Sequence, residues 1–207
     1  MTSPPRAAAD KTALRARLLA GRRARPEAER AEAAAAIASA LAAGLSGMAA
    51  AATVAGYVPD PTEPGHGVLP VAIGRVAGRL LLPVVPMTGA ELGWAEFSGE
   101  LARGRFGLLE PVGPRLPPAA IADAVAVVVP ALAVSRDGTR LGRGGGYYDR
   151  ALRHVAARAI LVAVVFDDEL LDEVPTEPHD LPMTAVVTPS GGWQPVNGTR
   201  AAPLLQC

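Results

Sequence analysis

The run Arg140-Leu141-Gly142-Arg143-Gly144-Gly145-Gly146-Tyr147-Tyr148-Asp149-Arg150 places four glycines, three arginines, two tyrosines and an aspartate in one stretch. Glycine has no Cβ, so such a loop takes positive φ angles and brings its amides close to a ligand. Arg140 and Arg143 add anion binding, Tyr147 and Tyr148 add stacking faces, and Asp149 adds a hard carboxylate for a metal ion. Together these groups suit a phosphate. Two familiar glycine motifs are excluded: the dinucleotide fingerprint needs a glycine where Tyr147 stands, and a P-loop needs Gly-Lys followed by Ser or Thr. A tight turn alone is the competing reading, and it leaves the flanking charges and rings without a role.

The elements around this loop follow from apolar spacing. Tyr148, Ala151, Leu152, Val155 and Ala159 recur at helical intervals, which predicts a helix over 147–158 with the glycines at its N-terminus, where free amides favour anions. Ala124–Val129 and Ile160–Phe166 are unbroken β-rich apolar runs, the pattern of strands buried on both faces. The order strand, loop, helix, strand predicts a mostly parallel sheet with helices on both faces. Ligands in such sheets sit beyond the carboxyl ends of the strands, where the glycine loop falls. Ala51–Tyr57 and Leu80–Val85 read as further buried strands, with Pro83 marking an irregularity or an edge.

Towards the N-terminus, Asp10 is a candidate cap for a helix to about Gly21 that carries Leu14, Leu18 and Leu19 on one face and Lys11, Arg15, Arg22 and Arg23 on the other. Pro26 opens a second, alanine-rich helix ending at Gly44, read as packing only. Lys11 is the one lysine beside 19 arginines, and it reads equally as a phosphate ligand or a solvated charge. Glu63 lies in a proline-rich loop and reads as a surface carboxylate. Trp94, Phe97 and Phe106 concentrate the few rings of a chain only 4% aromatic, either as a satellite core or as walls for a flat heterocycle. The acidic cluster 167–173 reads as a solvated helix without chemistry. His179 beside Asp180 is too common a pairing to name a general base.

Composition narrows the classes. With 207 residues, 50% hydrophobic and 19% charged, the chain reads as one globular domain over 10–189, with a disordered leader at 1–9 and a loose tail at 190–207. A net charge of +0 gives no field towards nucleic acid or membrane. Pro and Arg interrupt every apolar run well short of the ~20 residues a span needs, and no export signal is seen, so a cytoplasmic monomer acting on small molecules is expected. The single Cys207 excludes an internal disulfide framework.

The glycine string resembles the signature of the 5-formyltetrahydrofolate cyclo-ligase family. Lys11–Arg15, Glu63, Trp94-Ala95-Glu96-Phe97-Ser98-Gly99, Gly104–Pro111 and Val174–Asp180 agree in type and order. The resemblance implies a three-layer, Rossmann-like α/β sandwich of the sort shared with sugar-phosphate isomerases and CoA-transferases. It implies ATP-dependent closure of 5-formyltetrahydrofolate to 5,10-methenyltetrahydrofolate, with ADP and phosphate released. It also implies roles: Lys11, Arg140 and Arg143 as catalytic phosphate ligands; Arg15, Leu141, Gly142, Gly144, Gly145, Gly146, Tyr147 and Tyr148 as the rest of the ATP site; Glu63, Trp94, Phe97 and Tyr148 around the folate; Asp149 and Asp180 on Mg2+. Where some members have a loop lysine, this chain has Gly145. No protein nucleophile is required, consistent with a glycine loop free of Cys, Ser and Thr. A same-scaffold enzyme using ATP on another formylated or pterin-like compound, an isomerase or CoA-transferase relative, and a non-catalytic nucleotide-binding module remain as alternatives.

Overall fold

The computed structural model describes residues 6–48, 51–176 and 181–196, with side chains from residue 10 onward. Two helices come first, α1 (Arg6–Ala24) and α2 (Glu27–Leu45). Pro26 separates them: it has no amide to donate and adopts ψ 148°, which closes one helix and starts the next. Asp10 is therefore not a cap, since α1 already begins at Arg6. Then follow β1 (Thr53–Ala55), α3 (Leu69–Gly74), β2 (Arg79–Val84), β3 (Gly93–Glu96), β4 (Leu101–Arg103), β5 (Leu109–Pro111) and β6 (Ala124–Pro130). The chain continues through β7 (Ala133–Ser135), β8 (Arg140–Leu141), α4 (Tyr147–Ala151), β9 (Ile160–Val164), β10 (Leu170–Leu171), β11 (Ala185–Thr188) and β12 (Gly192–Pro195).

Seven strands form the central sheet in the order β12-β11-β9-β6-β1-β2-β3. The inner five are parallel, and each edge carries one antiparallel strand. The result is an α/β fold around a mixed, mostly parallel sheet. Strand alternation sorts the core. In β6, Val127 and Val129 pack with Leu152, Ile121 and Trp94, whereas Ala126 and Val128 turn to the opposite face against Ile37 and Leu41 of α2 and Ile73 of α3. Pro83 sits inside β2, not at an edge. The last β1 bond to β2 is Gly56 N to Leu81 O at 2.9 Å, so the amide that proline lacks falls beyond the end of β1.

Three expectations are corrected. The helix predicted over 147–158 is only α4, continued by a 3-10 turn over Leu152–His154 and ended by Val155 in extended conformation. After β6 the chain forms β7 and β8, which with β10 make a small sheet, β10-β7-β8, on which α1 docks through Leu18 against Leu132, Leu141 and Val174. Its strands of two or three residues leave no readable period. Beyond Pro189 the chain adds β12 to the main sheet, and Trp193 covers Gly44 of α2 so closely that a Cβ there would lie 2.2 Å from the ring. Among the described residues no helix is long and apolar enough to cross a membrane.

Candidate active site

The carboxyl ends of three parallel strands open on one cavity of about 280 Å3: Tyr57 and Val58 follow β1, Val85 follows β2, and Pro130 with Ala131 ends β6. The glycine loop forms the opposite wall. Gly144 at φ +97° and Gly146 at φ +68° occupy the left-handed region, where a side chain is strained, so glycine is required at both. Three arginines fix the loop through its carbonyls and base. Arg15 Nε donates to Gly142 O at 2.9 Å, Arg150 Nη2 donates to Gly145 O at 3.0 Å, and Arg140 Nη1 donates to Pro130 O at 3.1 Å. Arg140, buried, also forms an ion pair with Asp149. With its carbonyls so engaged, the loop can offer amides to an anion. The brevity of α4 means that these amides and the arginines, more than a helix dipole, carry the affinity.

Arg143 differs from Arg140 by exposure. It projects into the cavity, pairs with Asp60, and sets Nε 3.1 Å from Glu63 Oε1. Glu63 is buried, and its Oε2 accepts the Asp60 amide at 2.9 Å. Burial raises its pKa; Arg143 opposes this, Asp60 reinforces it, and the Asp60 amide and Arg22 oppose it. Asp60 ends below the usual carboxylate range because the Thr62 hydroxyl and amide, then Arg143, overcome its burial. Tyr148 donates its hydroxyl to Gly56 O at 3.1 Å, and burial, then Glu63, raise its pKa so that it stays a neutral phenol. The cavity thus has a cationic, amide-lined side and a side where the buried Glu63 carboxylate lies among phenol rings.

Because Glu63 has a raised pKa when folded, its contribution to stability is present below the unfolded value near 4.3 and is lost as pH rises through the folded value. Thermal unfolding of Glu63→Gln should therefore gain on the wild type as pH increases from about 4 towards neutrality. A melting-temperature difference that stays flat with pH contradicts the shift.

The expected aromatic walls are distributed differently. Trp94 is fully buried in the core beneath β3, with Nε1 donating to Pro118 O at 3.2 Å. Phe97 packs on the other face of the sheet beside Gly74 and Leu80. Neither lines the cavity. The ring that does is Phe106, 72% exposed at φ 56° between β4 and β5, with Leu108 and Leu109 beside it. Strand alternation in β3 points Trp94 inward, a consequence that depends on pairing with β2 and is invisible in a list of rings. Trp94→Leu should cost about 3 kcal/mol of stability, as for other large-to-small core changes, while KM for the folate that the sequence resemblance implies stays unchanged. A raised KM with an intact melting temperature would restore Trp94 to the cavity wall.

Lys11 is buried at 5% exposure, and neither it nor Arg15, both on α1, lines the cavity. Asp149 lines the cavity; Asp180 lies outside the described residues. Among the described residues no cluster of three or more His, Cys, Asp or Glu could hold a metal ion alone. Three groups near the site escaped sequence reasoning. Glu110 is buried on the cavity wall and accepts Val85 N at 2.9 Å. Glu169, inside the acidic run read as solvated, is buried and joined to Arg22 by two bonds of 2.7 Å. Spacing gives no signal for such a pair, whose members are 147 positions apart.

Residues 7–189 match the 5-formyltetrahydrofolate cyclo-ligase family. A protein of Mycolicibacterium smegmatis named 5-formyltetrahydrofolate cyclo-ligase is 47% identical over 188 residues, 88% of this chain and 95% of that one. A protein of the same name in Escherichia coli K12 is 33% identical over 58% of this chain and 68% of its own. The solved structure of Aquifex aeolicus 5,10-methenyltetrahydrofolate synthetase superposes with a TM-score of 0.70 at 27% identity, covering 92% of this chain and 94% of that chain. That of the Mycoplasma pneumoniae 5,10-methenyltetrahydrofolate synthetase, at 22% identity and TM-score 0.67 over 86% and 97% of the two chains, shares the fold. A family match over residues 7–189, and a relative 47% identical over 95% of its own length, show that this chain is an enzyme of the 5-formyltetrahydrofolate cyclo-ligase family.

Proposed function

We propose that the enzyme uses ATP to close 5-formyltetrahydrofolate into 5,10-methenyltetrahydrofolate, releasing ADP and phosphate, on a Rossmann-like three-layer scaffold. The observation that carries this reading is one cavity in which a cation-flanked glycine loop faces a buried carboxylate, with Arg143 bridging the two sides at 3.1 Å from Glu63. The formyl oxygen is a poor leaving group. Transfer of the γ-phosphoryl group to it makes phosphate the leaving group, and N10 of the substrate then attacks the formyl carbon as the carbon–oxygen bond breaks. Both substrates must lie side by side for this, and a shared cavity supplies that proximity.

Each residue has a task in this scheme. The amides of Gly142, Gly144, Gly145 and Gly146, with Arg143 and Arg140, neutralise the phosphates; Leu141 and Tyr147 complete the nucleotide site; Lys11 and Arg15 support the loop from α1. Glu63 accepts ring N–H donors of the folate, Tyr148 borders the same ring, and Phe106, Leu108 and Leu109 exclude water at the rim. A carboxylate beside phosphate oxygens is a donor set magnesium accepts, and Asp149, with 35% of its side chain exposed on the cavity wall, fits it. Asp149, with Asp180, would hold the ion that accompanies ATP, which when bound neutralises phosphate charge.

The test is purified protein with 5-formyltetrahydrofolate, ATP and magnesium. Methenyl absorbance should grow only with ATP present, with one ADP formed per product. ATP hydrolysis without methenyl product would point instead to another formylated or pterin-like substrate.

A further inference from the structure

Arg22 lies on α1 two turns beyond Arg15, yet only 1% of it is exposed. Its Nε and Nη2 grip the Glu169 carboxylate, and Nη2 also donates to Ala131 O at 2.6 Å, on the back of the cavity wall. The guanidinium also stacks over the Phe166 ring, 5.8 Å from its centroid. The third nitrogen, Nη1, is buried and makes no hydrogen bond among the described residues. It lies 4.0 Å from Glu63 Oε1. The same oxygen is 3.1 Å from Arg143 Nε, so two guanidinium groups share it. One is exposed and belongs to the glycine loop; the other is locked in place by Glu169 and cannot leave.

This difference matters once nucleotide binds. On the reading given above, Arg143 turns to the phosphates, and its attraction for Glu63 weakens. We propose that Arg22 is a positioning residue that gives Glu63 a standing positive partner from behind the cavity wall while Arg143 is engaged with nucleotide. The inference rests on Glu63 as the acceptor for folate N–H donors and on Arg143 as a phosphate ligand. The alternative fate of a buried carboxylate without a cation is to take up a proton, which would turn an acceptor into a donor facing the ring. Arg22 makes no contact with substrate in this scheme and acts only through Glu63.

The groups facing Glu63 come from four elements. Arg22 stands on α1 with Glu169 behind it, Tyr57 follows β1, Asp60 lies three residues before Glu63, Arg143 belongs to the glycine loop, and Tyr148 to α4. His66, on the same loop as Glu63, turns its Nδ1 to Pro59 O at 2.9 Å. Burial keeps both tyrosines neutral and hydrogen bonds hold Asp60 low, so of the two carboxylates on this loop Glu63 is the one whose pKa burial raises.

Removing Arg22 alone would strand the buried Glu169 carboxylate, so the test uses Arg22→Met with Glu169→Gln, which removes both charges. At saturating ATP, kcat/KM for 5-formyltetrahydrofolate is measured from pH 5.5 to 8.5. The acid limb of the double variant should move up by about one pH unit, leaving activity up to about tenfold below wild type at the acid end of the range and close to it at pH 8.5. Glu63→Gln should abolish that limb in either background. Should the double variant fail to fold, Glu169→Gln alone leaves the Arg22 charge to Glu63, and its acid limb should move down. An unmoved limb, or a loss equal at every pH, with the wild type turning over, overturns the inference and leaves the functional reading intact. A wild type that makes no methenyl product at any pH overturns both.

Discussion

Arg143→Ala should lower turnover by on the order of 10²-fold and raise KM for ATP, because loss of a charge-matched donor to a transferring phosphoryl group has effects of that size. The choice of Arg143 over its neighbour follows from what each touches. Arg140 is buried against Pro130 O and Asp149, so its replacement would disturb the loop itself and blur any kinetic result. Arg143 has 45% of its side chain exposed, and its partners Asp60 and Glu63 belong to the opposite wall of the cavity. Those ties could be merely structural. Half-exposed ion pairs are worth about 0–1 kcal/mol, so Arg143→Ala should leave the melting temperature within a few degrees of the wild type while activity collapses. Arg143→Lys keeps the charge without the fork and should fall between the two. Steady-state kinetics beside thermal unfolding separate the outcomes: a variant that loses stability but keeps its rate would make Arg143 a loop tie and nothing more.

The same contrast between what a side chain is and what it touches explains which parts of the protein were legible in its sequence. Ala124–Val129 and Ile160–Phe166 were readable because a strand buried on both faces must be apolar at every position, and β6 and β9 lie at the centre of the sheet. Leu14, Leu18 and Leu19 were readable for the same reason, since a helix lying on a sheet needs an apolar stripe, and α1 does. The apolar spacing after Tyr147 overstated the helix because Leu152 and Val155 also serve the core from a 3-10 turn and an extended residue, which share the spacing but not the backbone. Charge was the harder quantity. Arg22, Glu63 and Glu169 all read as solvated or surface groups, and all are buried, because each is placed by an element remote in sequence. The need for positive φ in the glycine loop was legible from its own eleven residues; that its arginines would divide into one fixed and one exposed cation depended on Pro130, Asp149, Asp60 and Glu63, which no local pattern links to it.

Asp149→Asn should lower turnover by on the order of 10²-fold while KM for the folate stays within about threefold, as expected when an interaction made chiefly in the transition state is lost. The substitution keeps the shape of the side chain and removes its charge, and two mechanisms could then act. Asp149 pairs with Arg140, so an amide would weaken a charge-assisted bond and loosen the base of the loop. Asp149 also lines the cavity beside the glycine loop, where a carboxylate would join phosphate oxygens around magnesium. Titration with magnesium tells them apart. If Asp149 is a metal ligand, the magnesium concentration for half-maximal rate should rise about tenfold in the variant, and excess metal should restore part of the turnover, because only one ligand of several is lost. If Asp149 acts through Arg140 alone, the rate falls and the magnesium midpoint does not move. A rate left intact at limiting magnesium excludes the metal role, and the Arg140–Asp149 pair then stands as a brace that shapes the loop without touching the ion.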